Sequence, residues 1–506
     1  MRQIWYNSSM SFFKAYDMRG TFGVDFDLET VYKVGRALPG VIQNANRANQ
    51  ANPADGKPRI LVGRDCRVTS KDVRDALVRG LAEAGAEVTD LGLCTTPMVY
   101  FFTAEDDYDG SVMITASHNP PSDNGLKVSM RTALPVGYAN GLNEVEKIVR
   151  LFDCSISDAK VGESGAVAQM AESARSRYVD WQRQSNSRTI RTTEQLRFAV
   201  DCSNGMASLL VHELFPSAVI VNDTLDGTFP NHSPNPLKAE AREQIAALVR
   251  EKGLDCGVIF DGDADRCMFV DEKGEFVQPD YLIPVVAKAT MRGGEDVRRE
   301  TEDQGKDERR ETLDSGLKSQ VSRPRVIHDV RTSRGAIEEL RRMGCEPVMV
   351  PVGHAFVKPI LRETGAVCGG ELAGHYYFSE FHGCDSGVLA ALRILGEVAK
   401  AKANGKTFSQ MMQPISGVYA NSGEMNFKVE DKDAAIARVL ASAAASLPPP
   451  VSRSEIDGIR IEYDEGWVNI RKSNTEPYLR LIVECDTAER LGAWTDILKG
   501  AINDEK

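Results

Sequence analysis

Arg59-Ile-Leu-Val-Gly-Arg-Asp65 is an apolar run closed by charge, and together with the residues just beyond it this stretch decides the fold. After it, Val73, Ala76, Leu77, Leu81 and Ala84 recur at helical spacing, and Glu87 to Leu91 then has the composition of a second strand. The same order returns twice. Arg197-Phe-Ala-Val-Asp201 leads to an expected helix over Met206 to Phe215 and a strand over Ala218 to Val221. Arg325-Val-Ile-His-Asp329 leads to Gly335 to Met343 and then Pro347 to Val350. The joints Ala84-Gly-Ala-Glu87 and Met343-Gly-Cys-Glu346 each put Gly where a helix must stop. Such alternation is α/β structure. Because the recurrence spans well over about 100 residues, it implies three related domains; solenoid repeats run about 20–50.

The C-terminal stretch differs. An Ala-rich helix from Asp431 to Leu447 is stopped by Pro448-Pro-Pro450. Strand-like runs come next at Gly458 to Tyr463, Trp467 to Ile470 and Leu479 to Val483, with a closing helix near Ala488 to Ile502. The expected organisation is therefore three α/β domains, 1–170, 171–275 and 276–415, and an α+β domain, 416–506. Within the third, Gly293 to Arg323 is dense in charge and nearly free of large apolar residues, as in a flexible surface insertion; a solvated helix laced with ion pairs is the alternative.

Composition narrows the function. At about 150 residues per domain, 506 residues make three to four domains. A formal net charge of −12 argues against nucleic-acid binding but leaves room for a local cluster of Arg and Lys around a phosphorylated small molecule. No apolar run approaches the roughly 20 residues that span a bilayer, and Met1 to Ser11 lacks the apolar core of a signal peptide. Ten scattered cysteines without a CxxC pair fit reduced thiols, so the expected setting is the cytoplasm, with no membrane partner.

Four stretches carry chemistry. Thr115-Ala-Ser-His-Asn-Pro120 comes after an apolar strand and exposes a hydroxyl beside His118, where a plain Ser/Thr turn is the simpler reading. Asp261-Gly-Asp-Ala-Asp-Arg266 brings three carboxylates to one tight loop, a donor set for Mg²⁺ or Ca²⁺. It is not an EF-hand, because Arg266 stands where that loop needs Gly. Gly369-Gly-Glu-Leu-Ala-Gly-His375 sets Glu371 and His375 among glycines that admit close backbone approach, or forms an ordinary turn. Arg471-Lys-Ser-Asn-Thr-Glu-Pro477, with Arg480 beyond, offers guanidinium and hydroxyl donors to a phosphate, or a basic exposed turn. A nucleophile, a metal loop, a hydroxyl reader and an anion clamp on separate domains imply a shared cleft.

In this order the four stretches resemble the signatures of the α-D-phosphohexomutase family, within its phosphomannomutase/phosphoglucomutase group, and Phe13-Lys-Ala-Tyr-Asp-Met-Arg-Gly20 resembles that family's N-terminal motif. The resemblance implies a heart-shaped protein, three related α/β domains and a smaller C-terminal domain around a central cleft. It implies an isomerase that interconverts hexose 1-phosphate and hexose 6-phosphate. Ser117 would carry the phosphoryl group, Mg²⁺ would sit on Ser117, Asp261, Asp263 and Asp265, and a hexose 1,6-bisphosphate would be intermediate and activator. His118 and Lys127, in Asn124-Gly-Leu-Lys127, are the acid–base candidates, with Arg19 and Arg266 as cations for the transferring group. Glu371 and His354 would meet the sugar, and Arg471, Ser473, Asn474 and Thr475 the distal phosphate. His375, Arg64, Asp65 and Tyr16 have structural roles as the competing reading. The expected partner is the phosphosugar, with a monomer or homodimer as the assembly.

Two departures bear on which sugar is used. Ala373 stands where members using both mannose and glucose phosphates commonly have Ser, and Arg331 where Lys is frequent. A phosphoglucosamine mutase is the near alternative, although its sugar loop usually carries Gln and Ser where Leu372 and Ala373 stand. A metal-dependent sugar-phosphate hydrolase and a non-catalytic sensor are the readings from other classes.

Overall fold

The computed structural model describes residues 12–49, 56–152, 165–292, 323–473 and 478–503. The charged stretch expected as an insertion therefore lies, apart from Arg323, outside the described residues. Four sheets are present among those described.

The first three sheets share one plan. In the first, Arg59–Arg64 lies between Glu87–Leu93 and Gly110–Ile114, parallel to both, and Asp123–Met130 then adds antiparallel to Gly110–Ile114. Phe198–Asp201, with Val219–Val221, Cys256–Phe260 and antiparallel Cys267–Asp271, repeats this order. So does Arg325–Asp329, with Glu346–Val350, Cys368–Gly370 and antiparallel Tyr376–Phe378. The recurrence seen in the sequence is thus a recurrence of topology. The fourth sheet is antiparallel throughout, built around Gly466–Lys472 and Leu479–Cys485 and backed by the helices Lys432–Ser446 and Ala488–Asn503.

One expected helix does not form as such. Met206–Leu209 is a 3₁₀ turn and Val211–Leu214 a single helical turn, separated by Leu210 at φ −122°. Met206 N–H donates to the Gly262 carbonyl at 2.9 Å, which ties the start of this segment to the acidic loop. Pro216 just beyond its end leaves little room for a longer helix.

One apolar cluster runs from Phe101 and Tyr178 through Phe198 and Phe260 to Phe378 and Leu392, joining the first three units. Each such side chain taken fully from water contributes about 1.5–3 kcal/mol. The fourth unit has its own core of Val439, Ile470, Leu481, Trp494 and Leu498. Guanidiniums bind it to the third unit. Arg334 donates to the Glu462 carboxylate (2.8 Å) and to the Tyr463 (2.7 Å) and Gly466 (2.9 Å) carbonyls, and Arg460 donates to the Val330 (2.7 Å) and Thr332 (2.9 Å) carbonyls. No helix among the described residues is long and apolar enough to cross a membrane.

Candidate active site

The shared plan places the chemistry. The turn from third to fourth strand carries Ser117 in the first unit, Asp261, Asp263 and Asp265 in the second, and Glu371 in the third. The aspartate that ends the corresponding strand in the second and third units, and follows it in the first, also plays one role. Asp65, Asp201 and Asp329 accept the backbone N–H two residues on, from Arg67 (3.0 Å), Ser203 (2.8 Å) and Arg331 (2.7 Å). Each carboxylate also lies against a cation or imidazole: Arg67, His232 and Arg331 respectively.

Arg67, which the sequence reading did not single out, fixes the Ser117 turn. It donates to the carbonyls of Ser117 (2.9 Å), Asn119 (2.7 Å), Pro120 (2.6 Å) and Asp123 (2.9 Å). Burial pushes the Asp65 carboxyl up and the Arg67 guanidinium down, so the pair itself adds little stability. Breaking it is another matter. Arg67→Ala leaves a buried carboxylate without its cation and four carbonyls without their donor, and should cost about 3–5 kcal/mol. A fall in the urea midpoint together with lost activity is the expected result; an unchanged midpoint would refute the clamp.

Ser117 sits at φ 50°, in the left-handed region that residues with a side chain seldom adopt. So turned, its Oγ donates to Asp261 Oδ2 at 2.6 Å and lies 3.2 Å from His118 Nδ1. Glycine is required opposite: a Cβ on Gly262 would stand 2.5 Å from the Ser117 carbonyl oxygen. Arg19 donates to Asn119 Oδ1 (3.1 Å) and Asp17 Oδ2 (2.6 Å), beside the same turn.

Asp261, Asp263 and Asp265 are fully buried, and each offers an oxygen within 4.8 Å of the others. Burial and the two neighbouring carboxylates push Asp261 well above its ordinary range. Asp263 Oδ1 and Asp265 Oδ1 accept no hydrogen bond among the described residues. Buried hard oxygens that converge and repel one another are the donor set a small divalent cation needs. Lys127 supplies part of the missing positive charge, with Nζ at 2.7 Å from Asp263 Oδ2 and 2.6 Å from Asp265 Oδ2. Although burial opposes it, those carboxylates raise the Lys127 ammonium above its usual value, so it is charged there. His118 is the opposite case: burial, then Arg266 and Arg19, drive it well below 6.5, leaving a neutral imidazole. Thr96, at a helix start unmarked in the sequence reading, donates to Asp263 Oδ2 at 2.5 Å.

His375 does more than pack. Arg266 Nε donates to its Nε2 at 2.9 Å, while its Nδ1 lies 2.7 Å from Asp385 Oδ2. Nδ1 therefore carries the proton, and the ring aims Arg266 at the acidic loop, 3.9 Å from Asp261 and 3.8 Å from Asp265. Lys358 completes the row, 2.8 Å from Asp385 and over the Tyr100 ring.

On the sugar side, buried Glu371 accepts from Gly353 N–H (2.7 Å) and from the Tyr377 hydroxyl (2.6 Å), a residue the sequence reading passed over. His354 is neutral, held well below 6.5 by burial and Lys358, with Nδ1 buried and unbonded among the described residues. Tyr16 packs edge-on to His354 and Phe356 and donates to the Val352 carbonyl, joining the first unit to the third. The last stretch gives less detail. Arg471 is buried and Ser473 N–H closes its hairpin on the Tyr478 carbonyl (2.9 Å), while Asn474 and Thr475 lie outside the described residues. Arg331, the position noted for departing from Lys, donates twice to Asp329, at 2.6 and 3.1 Å.

Four family models match in chain order. They are phosphoglucomutase/phosphomannomutase alpha/beta/alpha domain I over residues 10–151, domain II over 176–274, domain III over 311–417 and the C-terminal domain over 424–499. A phosphomannomutase of Vibrio cholerae is 33% identical over 482 residues, which is 93% of this chain and 94% of that protein. Phosphohexose mutases of Xanthomonas campestris pv. campestris are 34% identical over 479 residues, again 93% and 94% of the two chains. The crystal structure of a phosphoglucomutase/phosphomannomutase family protein from Burkholderia thailandensis superposes with a TM-score of 0.73 at 26% identity, over 98% of this chain and 99% of that one.

Proposed function

Because this chain belongs to the phosphoglucomutase/phosphomannomutase family and is a sugar-phosphate mutase, an isomerase, we propose that it interconverts the 1- and 6-phosphates of mannose, of glucose or of both through a phosphorylated Ser117. The observation that carries this reading is the Ser117 hydroxyl, 2.6 Å from one of three convergent buried carboxylates and beside His118.

In the forward half, the bond between Ser117 Oγ and phosphorus breaks as a sugar hydroxyl oxygen bonds to the same phosphorus. The proton of that hydroxyl passes through a base of the site to the departing Ser117 oxygen, leaving a serine hydroxyl and a hexose 1,6-bisphosphate. The reverse half passes the other phosphoryl back to Ser117 from the turned intermediate, and added bisphosphate primes an enzyme that has lost its phosphoryl group. Asp261, Asp263, Asp265 and the serine oxygen would hold Mg²⁺, which supplies electrophilic stabilisation of the charge on the phosphoryl oxygens. Arg19 and Arg266 add fixed positive charge at that place, the main way proteins accelerate phosphoryl transfer. His118 Nδ1 faces the serine oxygen and is placed to give or take its proton. Lys127, whose ammonium contacts two of the carboxylates that would hold the cation, is the second candidate. Glu371, with one donor on each oxygen, has lone pairs left for two sugar hydroxyls. Arg471, Ser473, Asn474 and Thr475 would grip the phosphate that is not reacting.

The experiment is ³¹P NMR with Mg²⁺, trace glucose 1,6-bisphosphate and equal glucose 1-phosphate and mannose 1-phosphate. Growth of 6-phosphate signals without inorganic phosphate is the expected result, and the two rates give the sugar preference. Accumulating inorganic phosphate would make the protein a hydrolase. Silence on both sugars would overturn the hexose assignment and turn the test to an amino-sugar phosphate.

A further inference from the structure

Arg471 of the proposed phosphate clamp already holds an anion, which it shares with two further guanidiniums. Arg331 comes from the third unit, Arg471 and Arg480 from facing strands of the fourth, and all three meet Glu424. Arg480 Nη1 donates to Glu424 Oε1 at 2.9 Å; Arg471 Nη2 and Arg331 Nη1 donate to Oε2 at 3.0 and 3.4 Å. The turn before Glu424 is braced. Gly423, at φ +65°, donates its N–H to Asn421 Oδ1 (2.8 Å), and Val483 N–H donates to Ser422 Oγ (2.9 Å). The carboxylate is only 17% exposed. Burial alone would push it up, yet Arg331, Arg471 and Arg480 hold it down to about 2, so it is an anion at any working pH. Asp329 also lies on Arg331, so a second carboxylate compensates these guanidiniums.

We infer that Glu424 is a positioning residue that shares the clamp's guanidiniums with the distal phosphate and keeps the grip weak enough to release it. The inference rests on the mutase reading above, in which the bisphosphate must let go of the clamp, turn and return by its other phosphate. Three guanidiniums with less internal compensation would hold a phosphate dianion more tightly in the bound intermediate than in the state that turns it, and a step that must break that grip slows. Glu424 meets this need in two ways: it aims Arg471 and Arg480, and it lowers the charge they present.

The test is Glu424→Gln, which keeps the shape and removes the charge. KM for glucose 1-phosphate and Kd for inorganic phosphate should both fall about ten-fold, with kcat falling alongside. Glu424→Asp, which keeps the charge on a shorter stem, should shift both constants much less. A rise in KM with kcat unchanged, no change in phosphate Kd, or equal shifts in the two variants would each overturn the inference, since a merely structural role predicts these. Arg471→Ala separates this from failure of the clamp itself. Weakened phosphate binding there supports the clamp whatever Glu424 does, whereas binding equal to the wild type would remove clamp and inference together.

Discussion

Ser117→Ala leaves a folded protein whose turnover is gone, down on the order of 10⁴-fold or more, as expected when a covalent carrier is removed. The loss is large because, among the described residues, Ser117 Oγ is the hydroxyl that donates to Asp261, and the φ of 50° that aims it is held by Arg67 on four carbonyls. The fold should tolerate the change. Ser117 already bears the backbone strain, and the lost hydrogen bond to the Asp261 carboxyl is worth about 1.5–3 kcal/mol. Intact-protein mass spectrometry after incubation with glucose 1,6-bisphosphate provides the second readout: a phosphoryl adduct on the wild type and none on the variant. Activity within ten-fold of the wild type would sink the phosphoserine mechanism.

Removing the divalent cation with a chelator should lower activity by about 10³-fold, the scale of several kcal/mol of transition-state stabilisation, and added Mg²⁺ should restore it. Secondary structure should survive the treatment. Three buried carboxylates would ordinarily make metal loss costly to the fold, but Lys127 lies within 2.7 Å of two of them and leaves part of their charge compensated. Circular dichroism and activity measured on the same dialysed sample test both halves of this expectation. Full activity after exhaustive chelation would mean that the acidic loop serves something other than a metal.

The repeated α/β unit was legible because strand, helix and Gly stop obey local rules of periodicity and capping. The four chemical stretches were legible because each packs its donors into six or seven neighbouring residues. What the sequence hid is long-range. Arg67 matters through carbonyls 50 to 56 residues away, and no composition marks a guanidinium that will find them. Glu424 stands in Asn421-Ser-Gly-Glu424, a turn like many others until two strands bring Arg471 and Arg480 to it. Lys127 is an acid–base candidate through the family resemblance, and the carboxylates it meets are more than 130 residues distant. The helix expected over Met206 to Phe215 is interrupted at Leu210, φ −122°, in a segment whose start is tied to Gly262.

The three reacting turns occupy one position in three separate sheets, and none is a site alone. Contacts that cross between units, Lys127 with Asp263, Thr96 with Asp263 and Arg266 with His375, assemble the centre. A fluctuation that parts the units breaks those contacts while every ladder inside a sheet stays intact. Under the mutase reading, competence therefore depends on the units staying docked through the apolar cluster they share, as well as on the ladders inside each sheet.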